Sequence, residues 1–329
     1  MRLRVLSGSD IQHALPMRAC IEAMKAAFAQ LSTGQATTPL RAAIPVPKYD
    51  GVTLFMPAYL AQSGDLGAKI VSVFPGNAGR GLPTVHAVVI TVDSTTGVPM
   101  ALMDGTYLTA LRTGAASGAA TDLLARPDAR VAAIFGAGAQ GRTQLEGVCT
   151  VRPISRAFIY DRTPAKAAQY AAEQSARLHF PKGIHVAASP EEAVREADVI
   201  CTATTSTTPV FSGRHLRPGS HVNAIGAFTP QMQEVDTDTI RRAKVVIDSR
   251  LASLAEAGDL IIPLQQGLID RSHVYGELGE IVAGLKAGRE HPDEITYFKS
   301  VGVAVQDIAA ARLVLQEAER QSLGTVVDL

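Results

Sequence analysis

Residues 131–141 read VAAIFGAGAQG and decide the fold. The apolar run at the start of this stretch predicts a buried strand, which passes directly into the pattern G-x-G-x-x-G formed by Gly136, Gly138 and Gly141. In a dinucleotide-binding turn the first glycine permits a tight bend, the second lets backbone approach a pyrophosphate, and the third lets helix pack on strand. A helix beginning near Gln140 would direct free N–H groups at the phosphates. The stretch therefore predicts a Rossmann-type turn.

The chain that surrounds this turn alternates between strand and helix. Strands are predicted at 131–135, 157–160, 184–187, 199–202, 221–225 and 245–247, with helices at 164–177 and 190–197. Strands separated by helical stretches form βαβ units and a parallel sheet. This context favours dinucleotide binding over the alternative, an ordinary βα turn that happens to contain glycines.

The choice of nucleotide depends on the end of the next predicted strand. Asp161 lies there, where a carboxylate binds ribose hydroxyls and repels a 2′-phosphate, which favours NAD(H). Arg162 and Thr163 follow directly and would instead hold that phosphate, so NADP(H) stays open as the alternative. A solvated surface role for Arg162 also stays open.

The N-terminal third has a different pattern. Residues 11–34 predict an amphipathic helix that stops at Gly34, and residues 39–99 predict a mostly antiparallel sheet of short strands separated by Gly and Pro. A helix at 108–125 is rich in small residues that would let it pack closely on a neighbour. We place the crossover between two domains there. Near the C-terminus, residues 298–315 form an apolar, helix-like stretch.

Composition narrows the classes of function. Thirty-one basic and thirty-one acidic residues cancel, which gives no electrostatic reason to expect nucleic acid or an anionic membrane as partner. The three cysteines show no C-x-x-C spacing, and no apolar run is long enough for a signal peptide or a membrane span, so we expect a cytoplasmic protein. The histidines show no metal-binding spacing, so no metal is expected. A small-molecule partner is therefore expected.

Three basic residues in the N-terminal part are candidates for binding a substrate anion: Arg41, Lys69 and Arg112. By default each is a surface charge. Lys69, however, lies in a strand-like run with few other charges, and Arg112 lies in the helix of small residues. A charge among apolar residues needs a partner, and the sequence shows no obvious acidic complement nearby. We therefore expect a substrate carboxylate to be that partner.

Together these motifs resemble the ornithine cyclodeaminase and mu-crystallin family over nearly the full length of the chain. The matching segments are Pro39-Leu40-Arg41, Phe55-Met56-Pro57, Ala68-Lys69, Leu82-Pro83-Thr84, Thr109-Ala110-Leu111-Arg112-Thr113, Gly136-Ala137-Gly138-Ala139-Gln140, His221-Val222-Asn223-Ala224-Ile225-Gly226 and Lys299-Ser300-Val301-Gly302. The resemblance implies an α/β fold and a homodimer. Residues 1–115 with 305–329 would form a mixed α+β domain for substrate binding and dimerisation, and residues 116–304 a doubly wound Rossmann-type domain for NAD(H) or NADP(H).

The resemblance also implies roles for individual residues. Arg41, Lys69 and Arg112 would bind the substrate carboxylate, and Val301 would touch the substrate. Lys69 is the expected hydrogen-bond or proton donor near the imine, with Thr84 as a second catalytic candidate. The residues expected at the nucleotide are Thr84, Arg112, Thr113, Gly136, Gly138, Ala139, Gln140, Gly141, Asp161, Arg162, Thr163, Thr202, Asn223, Ala224, Ile225, Gly226 and Ser300.

Two departures from the cyclodeaminase pattern point to one branch of the family. Leu54 stands where cyclodeaminases place a glutamate, and Phe228 where they place a catalytic aspartate. Both acids would handle a substrate amine, and an ammonium left unpaired there would lose hydrogen bonds worth roughly 1.5–3 kcal/mol each. Leu54 and Phe228 suit a carboxylate that carries an apolar ring.

The resemblance therefore implies the ketimine reductase branch, in which Δ1-pyrroline-2-carboxylate is reduced to proline and Δ1-piperideine-2-carboxylate to pipecolate. Two alternatives stay open. One is an ornithine or lysine cyclodeaminase, or an amino-acid dehydrogenase, of the same fold. The other is a non-catalytic, nucleotide-dependent ligand-binding protein of the crystallin type.

Overall fold

The computed structural model describes residues 1–177 and 180–329, which form two compact units. The first unit consists of Met1–Arg112 and Val303–Leu329, and the second of Thr113–Gly302. Within the described ranges, none of the helices combines the length and apolarity that a membrane crossing requires.

The secondary structure alternates along the chain. The strands are β1 (Arg2–Leu6), β2 (Ala36–Thr37), β3 (Ala42–Val46), β4 (Gly51–Leu60), β5 (Asp65–Val73), β6 (Val85–Asp93), β7 (Pro99–Asp104), β8 (Val131–Phe135), β9 (Arg156–Tyr160), β10 (Ile184–Val186), β11 (Val199–Thr202), β12 (His221–Ala224), β13 (Lys244–Ile247), β14 (Val274–Glu277), β15 (Thr296–Lys299) and β16 (Thr325–Asp328). The α-helices are α1 (Gly8–Ala14), α2 (Met17–Ser32), α3 (Gly105–Leu124), α4 (Ala139–Val151), α5 (Pro164–Ser175), α6 (Pro190–Arg195), α7 (Thr237–Arg242), α8 (Arg250–Glu256), α9 (Gly258–Gln265), α10 (Leu278–Val282) and α11 (Ala304–Gln321).

The first unit is built on a mixed sheet with the strand order β16-β1-β7-β6-β5-β4-β2, and β3 also pairs with β4. Every pairing is antiparallel except that of β1 with β7, so the predicted antiparallel character is confirmed. Along β5 the residues Gly67, Lys69 and Val71 alternate with more exposed neighbours and are buried. Helix α11 covers this buried face, since a Cβ on Gly67 would lie 3.0 Å from the Ile308 side chain.

The predicted helix at 11–34 is two helices, α1 and α2. Pro16 separates them with an extended backbone, φ −65° and ψ 147°. The proline ring disfavours a helical conformation at Leu15, so the first helix ends there although the apolar spacing continues. The predicted stop is confirmed, because α2 ends at Ser32 and Gly34 adopts φ +74°.

The second unit contains a parallel sheet with the order β10-β9-β8-β11-β12-β15-β13-β14. The predicted parallel βαβ arrangement is confirmed. From β8 the chain proceeds first to β9 and β10 on one side and then to β11 and β12 on the other. The carboxyl ends of β8 and β11 therefore form a topological switch point, the place where open α/β sheets bind their ligands.

The prediction of a helix-like stretch at 298–315 is wrong in its first part. Phe298 and Lys299 belong to β15, and α11 begins only at Ala304. Strand β15 lies between β12 and β13 and all of its residues are buried. A strand covered on both faces has no alternation of polar and apolar residues, so its sequence is indistinguishable from a buried helix segment.

The small residues of α3 let it approach α4 closely, as predicted. A Cβ on Gly114 would lie 2.2 Å from the carbonyl oxygen of Thr143, and a Cβ on Gly147 would lie 2.1 Å from the carbonyl oxygen of Gly114. Distances this short leave no room for a methyl group on either helix. The crossing of α3 and α4 therefore depends on glycine at both positions.

We expect Gly114→Ala to lower the free energy of unfolding by about 1–3 kcal/mol, because the added methyl group meets rigid backbone of α4. This is the net loss that remains after the gain of about 1 kcal/mol that alanine normally brings to a helix. Gly79→Ala is the matched control, because nothing lies within 4 Å of its Cβ position. Urea and thermal unfolding measure both changes. A Gly114→Ala protein as stable as the control would contradict the close crossing.

Candidate active site

The glycine turn that joins β8 to α4 is shaped by two close contacts and one open position. Gly136 adopts φ +102°, and a Cβ there would lie 2.5 Å from the carbonyl oxygen of Ala203. A Cβ on Gly141 would lie 2.1 Å from the carbonyl oxygen of Gly136. Nothing lies within 4 Å of the Cβ position of Gly138. The first and third glycines are therefore required by the protein itself, and the second faces the space that a pyrophosphate needs.

The N-terminus of α4 completes this cradle. Gly138 is the N-cap and supplies no side-chain acceptor, so the first N–H groups of the helix stay available. Ala139 begins the helix and is exposed, and the Gln140 Oε1 atom is buried without a partner among the described residues. A helix N-terminus of this kind attracts anions. These residues fit the pyrophosphate of a dinucleotide.

Asp161 follows β9 and connects two loops. Its Oδ2 atom accepts a hydrogen bond from the Ala137 N–H at 3.0 Å, and Oδ1 accepts one from the Thr163 N–H at 2.8 Å. Each carboxylate oxygen keeps a further lone pair for a ribose hydroxyl. Arg162 and Thr163 are exposed beside it. The preference for NAD(H) over NADP(H) stays a prediction.

Two of the residues expected at the nucleotide have side chains that are fully buried and already bonded. Thr202 donates its hydroxyl to Glu234 Oε2 at 3.0 Å. Asn223 donates its amide to the Thr121 hydroxyl at 3.0 Å, and its Oδ1 atom lies 3.1 Å from His221 Nε2. These side chains hold the ends of β11 and β12 in place, and they thereby position the backbone that follows each strand.

The remaining loop residues of the second unit are held by buried carboxylates. The Gly226 N–H donates to Glu234, next to the buried residues Ala224 and Ile225. Asp248 accepts hydrogen bonds from the Ser300 hydroxyl and from the backbone N–H groups of Val301 and Gly302, all within 2.9 Å. Thr113 is buried near the start of this unit, and Phe228 is 36% exposed in the loop after β12.

In the first unit, Lys69 and Arg112 meet on one buried carboxylate. Lys69 Nζ lies 2.8 Å from Asp307 Oδ2, and Arg112 Nε donates to Asp307 Oδ1 at 3.0 Å. Arg112 Nη1 also donates to Gln306 Oε1 at 2.9 Å, and Gln306 Nε2 is buried without a partner among the described residues. The lysine is 2% exposed, the arginine 5% and the aspartate 0%. The sequence showed no acidic complement near these two cations, but Asp307 pairs with both. A substrate carboxylate as a further partner stays a prediction.

The electrostatics of this cluster set the protonation state of Lys69. Burial and the charge of Arg112 lower the pKa of Lys69 to about 7, although Asp307 opposes the shift, and the charge of Arg41 lowers it further. Burial alone would raise the pKa of Asp307, but Arg112 and Lys69 outweigh it and hold that pKa below its ordinary value. With Lys69 protonated, the cluster of Lys69, Arg112 and Asp307 holds two positive charges and one negative charge.

Two other predicted residues lie elsewhere in the first unit. Leu54 is half-buried on β4, opposite Val71 of β5 and Ala43 of β3. Thr84 is exposed just before β6, where its carbonyl oxygen accepts a hydrogen bond from the Phe74 N–H. Their proposed contacts with substrate and nucleotide stay predictions.

Four buried acids that hold the cations and loops described above were not predicted from the sequence. They are Asp307, Glu234, Asp248 and Asp259, each buried. A usable signal was present for Asp307, which stands between Val305 and Ile308 in an apolar run, as Lys69 and Arg112 stand among apolar residues. The pairing itself spans 195 residues, and sequence periodicity carries no information over that separation.

Comparisons with known proteins agree with this architecture. A model of the ornithine cyclodeaminase/mu-crystallin family matches residues 2–322. The Δ1-pyrroline-2-carboxylate reductase of Bacillus cereus is 42% identical over 325 residues, which cover 98% of this chain and 99% of that protein.

Two solved structures are also similar. The Δ1-pyrroline-2-carboxylate reductase of Thermococcus litoralis, in complex with NADH and L-proline, has a TM-score of 0.94 at 45% identity and covers 98% of this chain and 99% of its own. An archaeal alanine dehydrogenase dimer with bound NAD has a TM-score of 0.92 at 35% identity and covers 100% of both chains.

The position of Asp161 leads to a prediction about the nucleotide. If its carboxylate binds the ribose hydroxyls, the wild-type protein should use NADH at least as well as NADPH, and Asp161→Ser should shift the preference towards NADPH. Steady-state kinetics with each nucleotide measure kcat/KM. The matched variant Arg162→Ser should reduce use of NADPH only. A strong NADPH preference in the wild type would show that Arg162 and Thr163 dominate.

Proposed function

Because the chain belongs to the ornithine cyclodeaminase/mu-crystallin family, we propose that it is an NAD(P)H-dependent oxidoreductase that reduces cyclic ketimines. The substrates would be Δ1-pyrroline-2-carboxylate, which gives L-proline, and Δ1-piperideine-2-carboxylate, which gives L-pipecolate. The proposal is supported by the named activity of the similar reductases from B. cereus and T. litoralis. The observation that carries it on this chain is the buried cluster of Lys69, Arg112 and Asp307 with its excess positive charge.

The excess positive charge suits the carboxylate of the substrate. A buried charge without a counter-ion is costly, so the cluster favours a ligand that brings one negative charge. Arg112 uses Nε and Nη1 within the protein, and its planar guanidinium still offers Nη2 to a carboxylate oxygen. The buried Gln306 Nε2 is a further donor. Arg41 supports the same assignment through its electrostatic effect on Lys69.

Lys69 is the proposed proton donor. When bound, the reduced nicotinamide supplies the hydride for the imine carbon, and the imine nitrogen must hold a proton as it becomes an amine. A lysine with a pKa of about 7 can give up a proton near neutral pH, which an ordinary lysine does poorly. Asp307 fixes the position of the ammonium through a contact of 2.8 Å. Thr84 stays a second candidate donor.

Leu54 and Phe228, which replace two acids of the cyclodeaminase pattern, favour a substrate with an apolar ring. Neither Leu54 nor Phe228 offers a group that pairs with an ammonium, so a diamino acid would leave its second amine unpaired. Phe228 is also partly exposed, so its ring would be available to cover an apolar substrate. A second candidate function is amino-acid dehydrogenation, which is favoured by the similarity to archaeal alanine dehydrogenase.

We also propose that the protein is a homodimer that uses the outer face of the first unit's sheet. Phe55, Ile70 and Val88 are paired neighbours on β4, β5 and β6, and each is more than one third exposed. A continuous apolar row on an exposed sheet face indicates an interface. The dimeric state of the similar archaeal alanine dehydrogenase supports a dimer. The first unit would bind the substrate carboxylate, and the second would bind the nucleotide.

The proposed function is tested directly with purified protein. Absorbance of the reduced nucleotide should fall when NADH or NADPH is mixed with Δ1-pyrroline-2-carboxylate. Pyruvate with ammonia is the matched control, because it offers an open-chain imine of similar charge. Turnover of pyruvate and ammonia alone would establish the dehydrogenase instead, and nucleotide binding without any turnover would establish a binding protein.

Arg112→Ala should remove a charge-assisted contact and cost about 2–5 kcal/mol in kcat/KM for the ketimine. Nucleotide affinity should change much less. Arg312→Ala is the matched control, since Arg312 pairs with Asp65 and takes no part in the cluster. Thermal unfolding of both variants monitors the loss of a buried partner for Asp307. Near-normal kcat/KM in Arg112→Ala would show that Arg112 is structural.

The pKa of Lys69 predicts a pH dependence. The ammonium form binds the carboxylate and donates the proton, and it is lost as pH rises through about 7. We therefore expect kcat/KM for the ketimine to decrease as pH rises past that value. Lys69→Arg keeps the charge but does not titrate, so the variant should be slower and its kcat/KM should fall less steeply above this pH. An identical decrease in both proteins would come from the titration of the substrate and would contradict the assignment.

The identity of residue 228 predicts the choice between reduction and cyclodeamination. Wild-type protein should release no ammonia from ornithine, because Phe228 can neither take a proton from the amine nor hold an ammonium. Phe228→Asp should impair ketimine reduction without creating cyclodeaminase activity, because Leu54 also differs from that pattern. Ammonia release is measured with a coupled assay. Steady ornithine-dependent release by the wild type would support a cyclodeaminase.

A further inference from the structure

A buried carboxylate holds two loops of the second unit together. Glu234 is 0% exposed, and its Oε2 atom accepts hydrogen bonds from the Thr202 hydroxyl at 3.0 Å and from the N–H groups of Gly226 at 2.6 Å and Ala227 at 3.1 Å. Its Oε1 atom accepts a hydrogen bond from the Thr204 N–H at 2.5 Å. One side chain therefore connects the loop after β11 with the loop after β12.

These loops lie next to the dinucleotide turn. A Cβ on Gly136 would lie 2.5 Å from the carbonyl oxygen of Ala203 and 3.2 Å from Thr204 Cγ2. Asp161, the ribose-binding candidate, lies on the other side of β8, at the end of β9. A dinucleotide that crosses the switch point with its adenosine half at β9 has its nicotinamide half at β11 and β12. Glu234 therefore lies under the loops on the nicotinamide side.

When Glu234 is ionised, the local network carries an unbalanced negative charge. Lys299 Nζ donates to Asp259 Oδ2 at 2.9 Å, and both side chains are 0% exposed, so these two charges balance each other. Asp259 Oδ1 in turn accepts a hydrogen bond from the backbone N–H of Glu234 at 2.7 Å. Among the described residues, no cation forms an ion pair with the Glu234 carboxylate itself.

The loops alone do not account for this charge. An uncompensated buried carboxylate costs several kcal/mol, whereas backbone N–H groups require only an acceptor. Burial raises the pKa of Glu234 and the charge of Asp259 adds to the shift, although the charge of Lys299 and the hydrogen bonds from Thr204 act in the opposite direction. The geometry is that of an ionised carboxylate, because one hydroxyl and three backbone N–H groups donate to its two oxygens. A cationic group bound nearby would offset the cost of burying the ionised Glu234 carboxylate.

We propose that Glu234 is a positioning residue for the nicotinamide end of the nucleotide, and that its charge favours the oxidised, cationic nicotinamide over the reduced, neutral one. The inference rests on the proposed nucleotide-dependent function, to which it adds an electrostatic role for Glu234, a residue outside the cluster of Lys69, Arg112 and Asp307. A site that stabilises the oxidised nucleotide makes the bound reduced nucleotide a stronger hydride donor, since only a difference in affinity between two states shifts their balance.

The test compares binding of NAD⁺ and NADH, each titrated separately by calorimetry at neutral and slightly alkaline pH. Glu234→Gln should raise the Kd for NAD⁺ about fivefold more than the Kd for NADH, because it removes the charge. Glu234→Asp keeps the charge, so the ratio of the two Kd values should stay within about twofold of the wild-type ratio. Thr202→Val keeps the carboxylate and removes one donor, and it should also preserve the ratio.

Equal weakening of both nucleotides in Glu234→Gln would overturn the proposal, because Glu234 would then only hold the loops. If circular dichroism shows that Glu234→Gln does not fold, the wild-type protein decides through the same titrations at mildly acidic and slightly alkaline pH. A preference for NAD⁺ that weakens on acidification, as Glu234 is protonated, supports the proposal, and a ratio of Kd values that does not change with pH overturns it. The titrations use no ketimine. Failure to bind either nucleotide would contradict the proposed function, whereas binding with an unchanged ratio in Glu234→Gln would contradict this inference alone.

Discussion

The ion pairs of the buried Asp307 carboxylate are the interaction on which the cluster of Lys69, Arg112 and Asp307 depends. It brings Lys69 of β5 and Arg112 of α3 to one point and offsets only one of their two charges. Without Asp307, Lys69 and Arg112 would be buried side by side without a counter-ion, which is costly for two charged groups. With it, the cluster of Lys69, Arg112 and Asp307 carries one excess positive charge when Lys69 is protonated. Burial and the charge of Arg112 lower the pKa of Lys69 to about 7, and Asp307 opposes that shift.

Buried carboxylates also organise the second unit. Asp248 accepts hydrogen bonds from the backbone of Val301 and Gly302, and Glu234 accepts hydrogen bonds from the loops after β11 and β12. Each acid fixes a loop by accepting several hydrogen bonds at once, which leaves the loop ordered without a regular element. With Glu234 ionised and Lys69 protonated, the group of Lys299, Asp259 and Glu234 has a net negative charge, whereas the cluster of Lys69, Arg112 and Asp307 has a net positive charge.

The elements nearest the glycine turn were predictable because their signals are local. Strand β8 and the three glycines occur within 11 consecutive residues, and each glycine has a separate steric or ligand-binding reason to be there. Local signals failed at Pro16, which divides one apolar stripe into two helices, and at β15, whose burial on both faces removes the alternation that identifies a strand. In both cases the apolar pattern alone did not distinguish the competing structures.

The sequence by itself determined the dinucleotide turn, the parallel sheet that follows it, and the absence of an acid at Leu54 and Phe228. These features depend on neighbouring residues or on the identity of a single side chain. Only the tertiary structure decided how the charges are paired. Arg112 and Asp307 are 195 residues apart, and Glu234 reaches Thr202 across 32 residues. Which buried acid meets which donor follows from strand order and helix packing, and burial together with those long-range contacts sets the pKa of Lys69.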